Sequence, residues 1–301
     1  MKTIKLEGII PPLITPLKDR DTLDRESLEN LIEHLIQGGV HGIFILGTTG
    51  EAPSLSYKLR KNLIEEACKI VSGRIPVLVG ITDTSFVESL NMASHAADSG
   101  ASGLVAAPPY YFPAGQPELL EYIEHLARQL QLPLVLYNMP SHTKLYFEPD
   151  TVRAAFERSL IAGLKDSSGN MVYFHRLRQM FRDNPNFSLL VGPEELLAES
   201  VFLGGNGGVC GGANIFPRLY VQLYEYAKKG NIAKALELHD KVMYISENIY
   251  RTGKYASSII KGIKCALNLK KIISSDFMAE PFHRFKDEER KIIEEKIALL
   301  E

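Results

Sequence analysis

The stretch IAGLKDSSGN, residues 161–170, runs from apolar residues into a lysine and then into a small polar turn. The residues before Lys165 do not alternate apolar with polar, as a strand wetted on one side would. A strand covered on both faces has no obvious use for an ammonium group at its end. Either Lys165 marks the exit of the strand into water, or it sits in a cavity and does chemistry. The fold decides between these, and the fold is read from the runs that resemble this one.

Eight such runs occur: GIIPPLITP from Gly8, GIFILG from Gly42, PVLVGIT from Pro76, GLVAAPP from Gly103, PLVLYNMP from Pro133, IAGLKD from Ile161, SLLVGP from Ser188 and GGVCGG from Gly207. Most are bounded by Gly or Pro, and most spacings between them are about 27 to 34 residues, the size of a βαβ unit. Helical patterns fill the gaps. RESLENLIEHLIQGG puts Leu28, Leu31, Ile32, Leu35 and Ile36 on one face and ends in glycine. YKLRKNLIEEACKIVSG, SFVESLNMASHAADSG and QPELLEYIEHLARQL behave alike.

Eight units of this kind predict a parallel (β/α)8 TIM barrel of the α/β class. The runner-up is an open doubly wound sheet. Against it, no G-x-G-x-x-G opens the first helix, and eight regular units close naturally. Residues 1–229 are expected to form the barrel and carry the active site. Residues 230–301, helix after helix without a strand signal, are expected to form a C-terminal helical extension whose lysines and glutamates face water.

Composition narrows the function. The chain has 301 residues, 45% of them hydrophobic, and a formal net charge of -2, so no basic field points to nucleic acid or an anionic membrane. No run reaches the roughly 18 apolar residues of a membrane span, and MKTIKLEGII lacks a signal-peptide core. Cys68, Cys210 and Cys265 are too scattered for a disulfide framework or zinc motif, which fits a reducing, cytoplasmic setting. The eight histidines show no H-x-x-x-H or H-E-x-x-H spacing, so no metal is expected; no other cofactor is expected either.

Active sites of such barrels form at the C-terminal ends of the strands. A lysine there is a poor nucleophile while protonated, with a free pKa near ~10.4. An apolar barrel mouth penalises the charged form and favours the amine, which can attack a ketone to form an imine. Tyr137 ends the neighbouring run and, at about 4.8 Å between strands, can reach that amine and shuttle protons. It could equally be an aromatic cap on the core. GTTGE, residues 47–51, offers backbone N–H groups and two threonine hydroxyls as a small anion cradle. It is too short for a phosphate loop and suits a carboxylate, although an ordinary turn would look similar. No G-x-S-x-G or Ser-His-Asp set competes with this reading.

GTTGE, PYY, LYNMP and GLKDSSGN, in this order and spacing, closely resemble the dihydrodipicolinate synthase / N-acetylneuraminate lyase family along essentially the whole chain. The resemblance implies a metal-independent class I aldolase or lyase that holds pyruvate, or a 2-keto acid containing it, as a Schiff base. It implies that Lys165 forms the imine and that Tyr137 shuttles protons. Thr48 and Thr49 match the positions that hold the pyruvate carboxylate, and Thr48 joins the proton relay. Tyr111 matches a tyrosine that reaches into a neighbouring subunit's site. Gly192 and Val209 fall where relatives line the pyruvate pocket. The implied assembly is a homotetramer built from two tight dimers, and the implied partners are small molecules: the keto acid and an aldehyde.

One departure bears on the substrate. The lysine-pathway synthases carry Y-N-x-P-S-R-T-G, where the arginine grips the carboxylate of aspartate semialdehyde. This chain reads YNMPSHTK, with His142 in that place and Lys144 in place of glycine. A histidine is neither permanently charged nor a planar fork. Ala52, Tyr57 and Arg60 also differ from the feedback pocket of lysine-regulated synthases, so lysine inhibition is not expected. GTTGE rather than GSTGE leans away from the sialic-acid lyases. The expectation is an aldolase or dehydratase acting on a 2-keto-3-deoxy sugar acid or a 4-hydroxy-2-keto acid. The alternatives are a true dihydrodipicolinate synthase and a non-catalytic ligand-binding barrel.

Overall fold

The computed structural model describes residues 3–300; residues 1, 2 and 301 of the two expected regions lie outside it. Eight parallel strands are present: β1 (Gly8–Ile9), β2 (Ile43–Ile45), β3 (Val77–Gly80), β4 (Gly103–Ala106), β5 (Leu134–Asn138), β6 (Gly163–Asp166), β7 (Ser188–Val191) and β8 (Gly207–Gly208). They lie side by side in the order β1-β8-β7-β6-β5-β4-β3-β2. A parallel bridge from Pro12 to Phe44 joins the two ends of this series, with Leu13 N donating to Phe44 O at 2.9 Å and Phe44 N to Pro11 O at 2.9 Å. This is the arrangement of an α/β barrel. Every strand residue is buried, which is why the runs do not alternate.

Helices follow the strands in turn: α1 (Arg25–Gln37), α2 (Tyr57–Val71), α3 (Phe86–Asp98), α4 (Gln116–Ala127), α5 (Pro149–Glu157), α6 (Met171–Met180), α7 (Leu197–Phe202) and α8 (Pro217–Lys228). Side-chain caps start several of them: Asp24, Ser56, Ser85 and Asn170 each accept a backbone N–H three residues on. Apolar faces such as Leu28, Leu31, Ile32 and Leu35 of α1 join the large core between helices and strands. A second, smaller cluster fills the space inside the strands and includes Ile10, Phe44, Leu78, Val135, Tyr137 and Val209. An antiparallel hairpin, Leu17–Asp19 with Thr22–Leu23, lies between β1 and α1; its polar sequence carries no strand pattern.

Three further helices follow α8: α9 (Ile232–Ile245), α10 (Ser258–Leu269) and α11 (Asp287–Ala298), with a π-helical turn at Ser246–Tyr250. No helix of the described residues is long and apolar enough to cross a membrane. The expectation that lysines and glutamates of this region all face water fails at Lys264. Its side chain on α10 is fully buried, because it turns inward to meet Glu51 of the GTTGE turn. Helical periodicity does not separate a charged side chain on the polar face from one that pays for burial with an ion pair.

Candidate active site

The C-terminal ends of β5 and β6 set the geometry. Tyr137 and Lys165 are direct register partners, as are Asn138 and Asp166 one step on. Parallel neighbours in register point to the same side, so both Tyr137 and Lys165 turn into the barrel interior, each 6% exposed. Lys165 Nζ lies 4.0 Å from the centre of the Tyr137 ring and 5.1 Å from that of Phe44. Among the described residues no carboxylate pairs with this ammonium. The ring faces are its neighbours, an arrangement that holds a cation without sealing it in an ion pair.

Tyr137 Oη is 3.3 Å from Thr48 Oγ1, and either hydroxyl can donate. Thr48 sits in the turn after β2, which is bracketed by two left-handed residues, Leu46 and Glu51, each at φ +58°. Gly47 allows this path: a Cβ there would lie 2.7 Å from the Phe44 ring. Asn138, fully buried, anchors the other side. Its Nδ2 donates to Tyr173 Oη at 2.7 Å, and its Oδ1 accepts from Phe147 N at 2.9 Å. Asp166, next to the lysine, accepts from Ser168 N and Ser168 Oγ, both at 3.0 Å. Burial nevertheless pushes its carboxyl up to about 6.

A cavity of about 260 Å³ opens at this end of the strands, lined among others by Phe44, Thr48, Thr82, Tyr110, Tyr137 and His142. Thr48, Tyr137 and Lys165 are thus brought together, the amine lying against two rings of the cavity wall. His142 stands at the cavity mouth on the single turn Pro140–Thr143. Desolvation, then the charge of Lys144, lowers its pKa below the usual histidine value. Lys144 Nζ donates to Ser141 O at 2.7 Å and does not line the cavity.

The other expected residues are placed less directly. Thr49 is half-buried beside Thr48 but is not part of the cavity wall. Val209 is buried in the interior cluster with Tyr137. Gly192 N donates to Asp166 O at 2.7 Å, and a Cβ on Gly192 would lie 1.8 Å from Ser167 Oγ, so the strand end closes against the loop after the lysine. Tyr111 is 76% exposed and packs edge-on against Phe112; within one chain it is its neighbour Tyr110 that reaches the cavity. Phe44, Asn138 and Asp166 escaped the sequence reading. Their only sequence signal is position, at or next to the C-terminal ends of the strands.

The chain matches the dihydrodipicolinate synthetase family over residues 5–299. It is 34% identical to the probable 2-dehydro-3-deoxy-D-pentonate aldolase YjhH of Escherichia coli (strain K12), over 87% of each chain. Its fold superposes on a dihydrodipicolinate synthase from Bacteroides thetaiotaomicron with a TM-score of 0.96 and 56% identity, covering 99% of this chain and 100% of that one. It also superposes on YagE, a prophage protein of the dihydrodipicolinic acid synthase family from E. coli K12 solved with pyruvate, with a TM-score of 0.92, 29% identity and 99% coverage of both chains. Matched along nearly its whole length in sequence and in fold, the chain belongs to the dihydrodipicolinate synthetase family and is a lyase of that family's aldolase class.

Proposed function

We propose that Lys165 forms a Schiff base with the ketone of a 2-keto acid and that the protein cleaves, or in reverse forms, the bond beyond its C3 carbon. The observation that carries this reading is the buried Lys165 amine, paired with no carboxylate among the described residues and in register with Tyr137. The neutral amine adds to C2, and loss of water leaves a protonated imine. That imine draws electrons from the C3–C4 bond as a base removes the proton of the C4 hydroxyl. An aldehyde departs and an enamine remains. Protonation at C3 and addition of water to C2 then release pyruvate and restore the lysine. Tyr137 is the group that gives and takes these protons, and Thr48 Oγ1 at 3.3 Å relays them. Thr48 and Thr49 would receive the substrate carboxylate through hydroxyl and backbone N–H groups, with Gly192 and Val209 shaping the pocket behind it.

For the substrate we favour a 2-keto-3-deoxy sugar acid or a 4-hydroxy-2-keto acid. Among the described residues that line the cavity there is no arginine, and His142 stands where a carboxylate clamp would be needed. The similarity to YjhH, named a probable 2-dehydro-3-deoxy-D-pentonate aldolase, supports the same reading. The 56% identity to the Bacteroides protein supports the second one, a synthase condensing pyruvate with aspartate semialdehyde. Borohydride reduction with pyruvate, followed by intact mass and peptide mapping, tests the first step: a reduced pyruvate adduct is expected on Lys165, and an unchanged mass refutes it. Cleavage assays on sugar acids and 4-hydroxy-2-oxoglutarate, run beside the semialdehyde condensation, separate the two substrates.

The organisation we propose is a barrel over residues 1–229 and a helical extension over residues 230–301. The exposed aromatic loop of Tyr110, Tyr111 and Phe112 supports a dimer in which Tyr111 serves a neighbour's site, within a homotetramer. The three free, buried cysteines support a cytoplasmic location.

A further inference from the structure

The threonine turn is held from a distance. Glu51 closes it: Glu51 N donates to Thr48 O at 3.0 Å, three residues back. Glu51 is a non-glycine residue at φ +58°, a conformation that is costly unless its surroundings impose it. Those surroundings come from the far end of the chain. Glu51 Oε2 pairs with Lys264 Nζ of α10, and the two side chains are 3% and 0% exposed. Glu51 Oε1 accepts from Ala279 N at 2.8 Å, across 228 residues of sequence. Lys264 Nζ also donates to Phe277 O at 2.7 Å.

The strap that Glu51 and Lys264 grip, residues 276–279, is itself tied down. Asp276 pairs with Arg290 of α11, and Arg290 Nη2 donates to Asn268 Oδ1 at 2.9 Å. On the barrel side Thr15 Oγ1 donates to Gly50 O at 2.7 Å. Burial holds the Lys264 ammonium below the usual lysine pKa while Glu51 pulls the other way. A charge pair this deeply buried is weak evidence for stability, because its desolvation cost offsets much of its attraction. Fixing one conformation of the turn is a role that such a pair fills.

We propose that Glu51 is a positioning residue: its ion pair with Lys264 fastens the threonine turn to α10 and the strap, and so keeps Thr48 Oγ1 on the Tyr137 hydroxyl. This rests on the Schiff-base reading above. Glu51 touches no reacting atom; it acts through Thr48.

Pyruvate alone is a sufficient probe. Borohydride trapping counts the competent Lys165 sites. Exchange of the pyruvate methyl protons in D2O, followed by NMR, reports the relay, since exchange requires the enamine. E51Q and K264M are expected to trap to the wild-type end point while exchange per trapped site falls roughly 10- to 100-fold, the scale of a displacement of about 1 Å. T48V/E51Q is expected to exchange no more slowly than T48V, because both act through one hydroxyl. Val242→Ala, a truncation of a fully buried side chain on α9, serves as the stability control. It is expected to lower Tm and leave exchange per trapped site unchanged. If either single variant fails to fold, E51M/K264M removes both charges together and is held to the same fall. Wild-type exchange per trapped site overturns the proposal, as do multiplying losses in T48V/E51Q or an E51Q that no longer traps at all. A wild-type protein that traps no pyruvate instead overturns the Schiff-base reading.

Discussion

Tyr137 and Lys165 stand opposite each other in register on adjacent parallel strands, with the lysine Nζ 4.0 Å from the centre of the tyrosine ring. The ring face supports the amine while the phenol oxygen points on to Thr48, so one side chain serves two neighbours. Removing the hydroxyl alone separates these roles. Tyr137→Phe keeps the ring against Lys165 and deletes the contact with Thr48. Pyruvate methyl exchange is expected to slow by roughly 100- to 10,000-fold, the usual worth of a positioned acid–base group. Borohydride should still label Lys165 on prolonged incubation. Exchange within a factor of about three of wild type would remove Tyr137 from the relay.

His142 tests the substrate. An arginine in its place supplies a permanent, planar donor pair at the cavity mouth. A charge-assisted hydrogen bond contributes about 1.5–3 kcal/mol, so His142→Arg is expected to raise kcat/KM for aspartate semialdehyde condensation by roughly 10- to 100-fold. Sugar-acid cleavage should not gain. A fall in the condensation rate would show that the semialdehyde does not meet this position.

Gly192 is tested by the smallest possible addition. A Cβ at this position lies 1.8 Å from Ser167 Oγ and 2.7 Å from Ser167 Cβ. Rotating the serine relieves the first clash and not the second, so the strand end must move from the loop that follows Lys165. Gly192→Ala is expected to lose about 1–3 kcal/mol of stability, as overpacked sites do, and to raise the KM for pyruvate. Urea unfolding and pyruvate titration measure the two effects, and an unchanged KM would detach Gly192 from the pocket.

Glu194 predicts a pH dependence. Its buried carboxyl accepts from Gly212 N at 2.9 Å, from Tyr250 Oη at 2.7 Å and from Tyr220 Oη. Burial pushes its pKa up to about 7 from 4.5. The fold therefore prefers the protonated acid. That contribution is fully present below about pH 4.5, the unfolded value, and is lost as the pH rises through about 7. Wild type is expected to lose on the order of 2 kcal/mol more than Glu194→Gln between about pH 5 and pH 8. Asp166, pushed up to about 6, titrates in both proteins and cancels from the comparison. Parallel stability curves would show that Glu194 is already ionised when folded.

The sequence by itself determined the repeating units and, through them, the candidate chemistry. Eight non-alternating runs at nearly even spacing specify strands covered on both faces. Strands of one parallel sheet deliver their C-terminal residues to one level, so the sequence alone sets Lys165, Tyr137 and Thr48 at the same end of the barrel. What tertiary structure decided is which side chains on the connecting segments turn inward. Tyr110, and not the adjacent Tyr111, lines the cavity, because the path of that loop, and not its composition, aims each ring. Lys264 looks like any surface lysine of an amphipathic helix, yet it is buried against Glu51. Local periodicity records how a helix meets its immediate neighbours. A charge buried by a partner from the other end of the chain leaves no local pattern, since its cost is met only once the whole fold has closed around the pair.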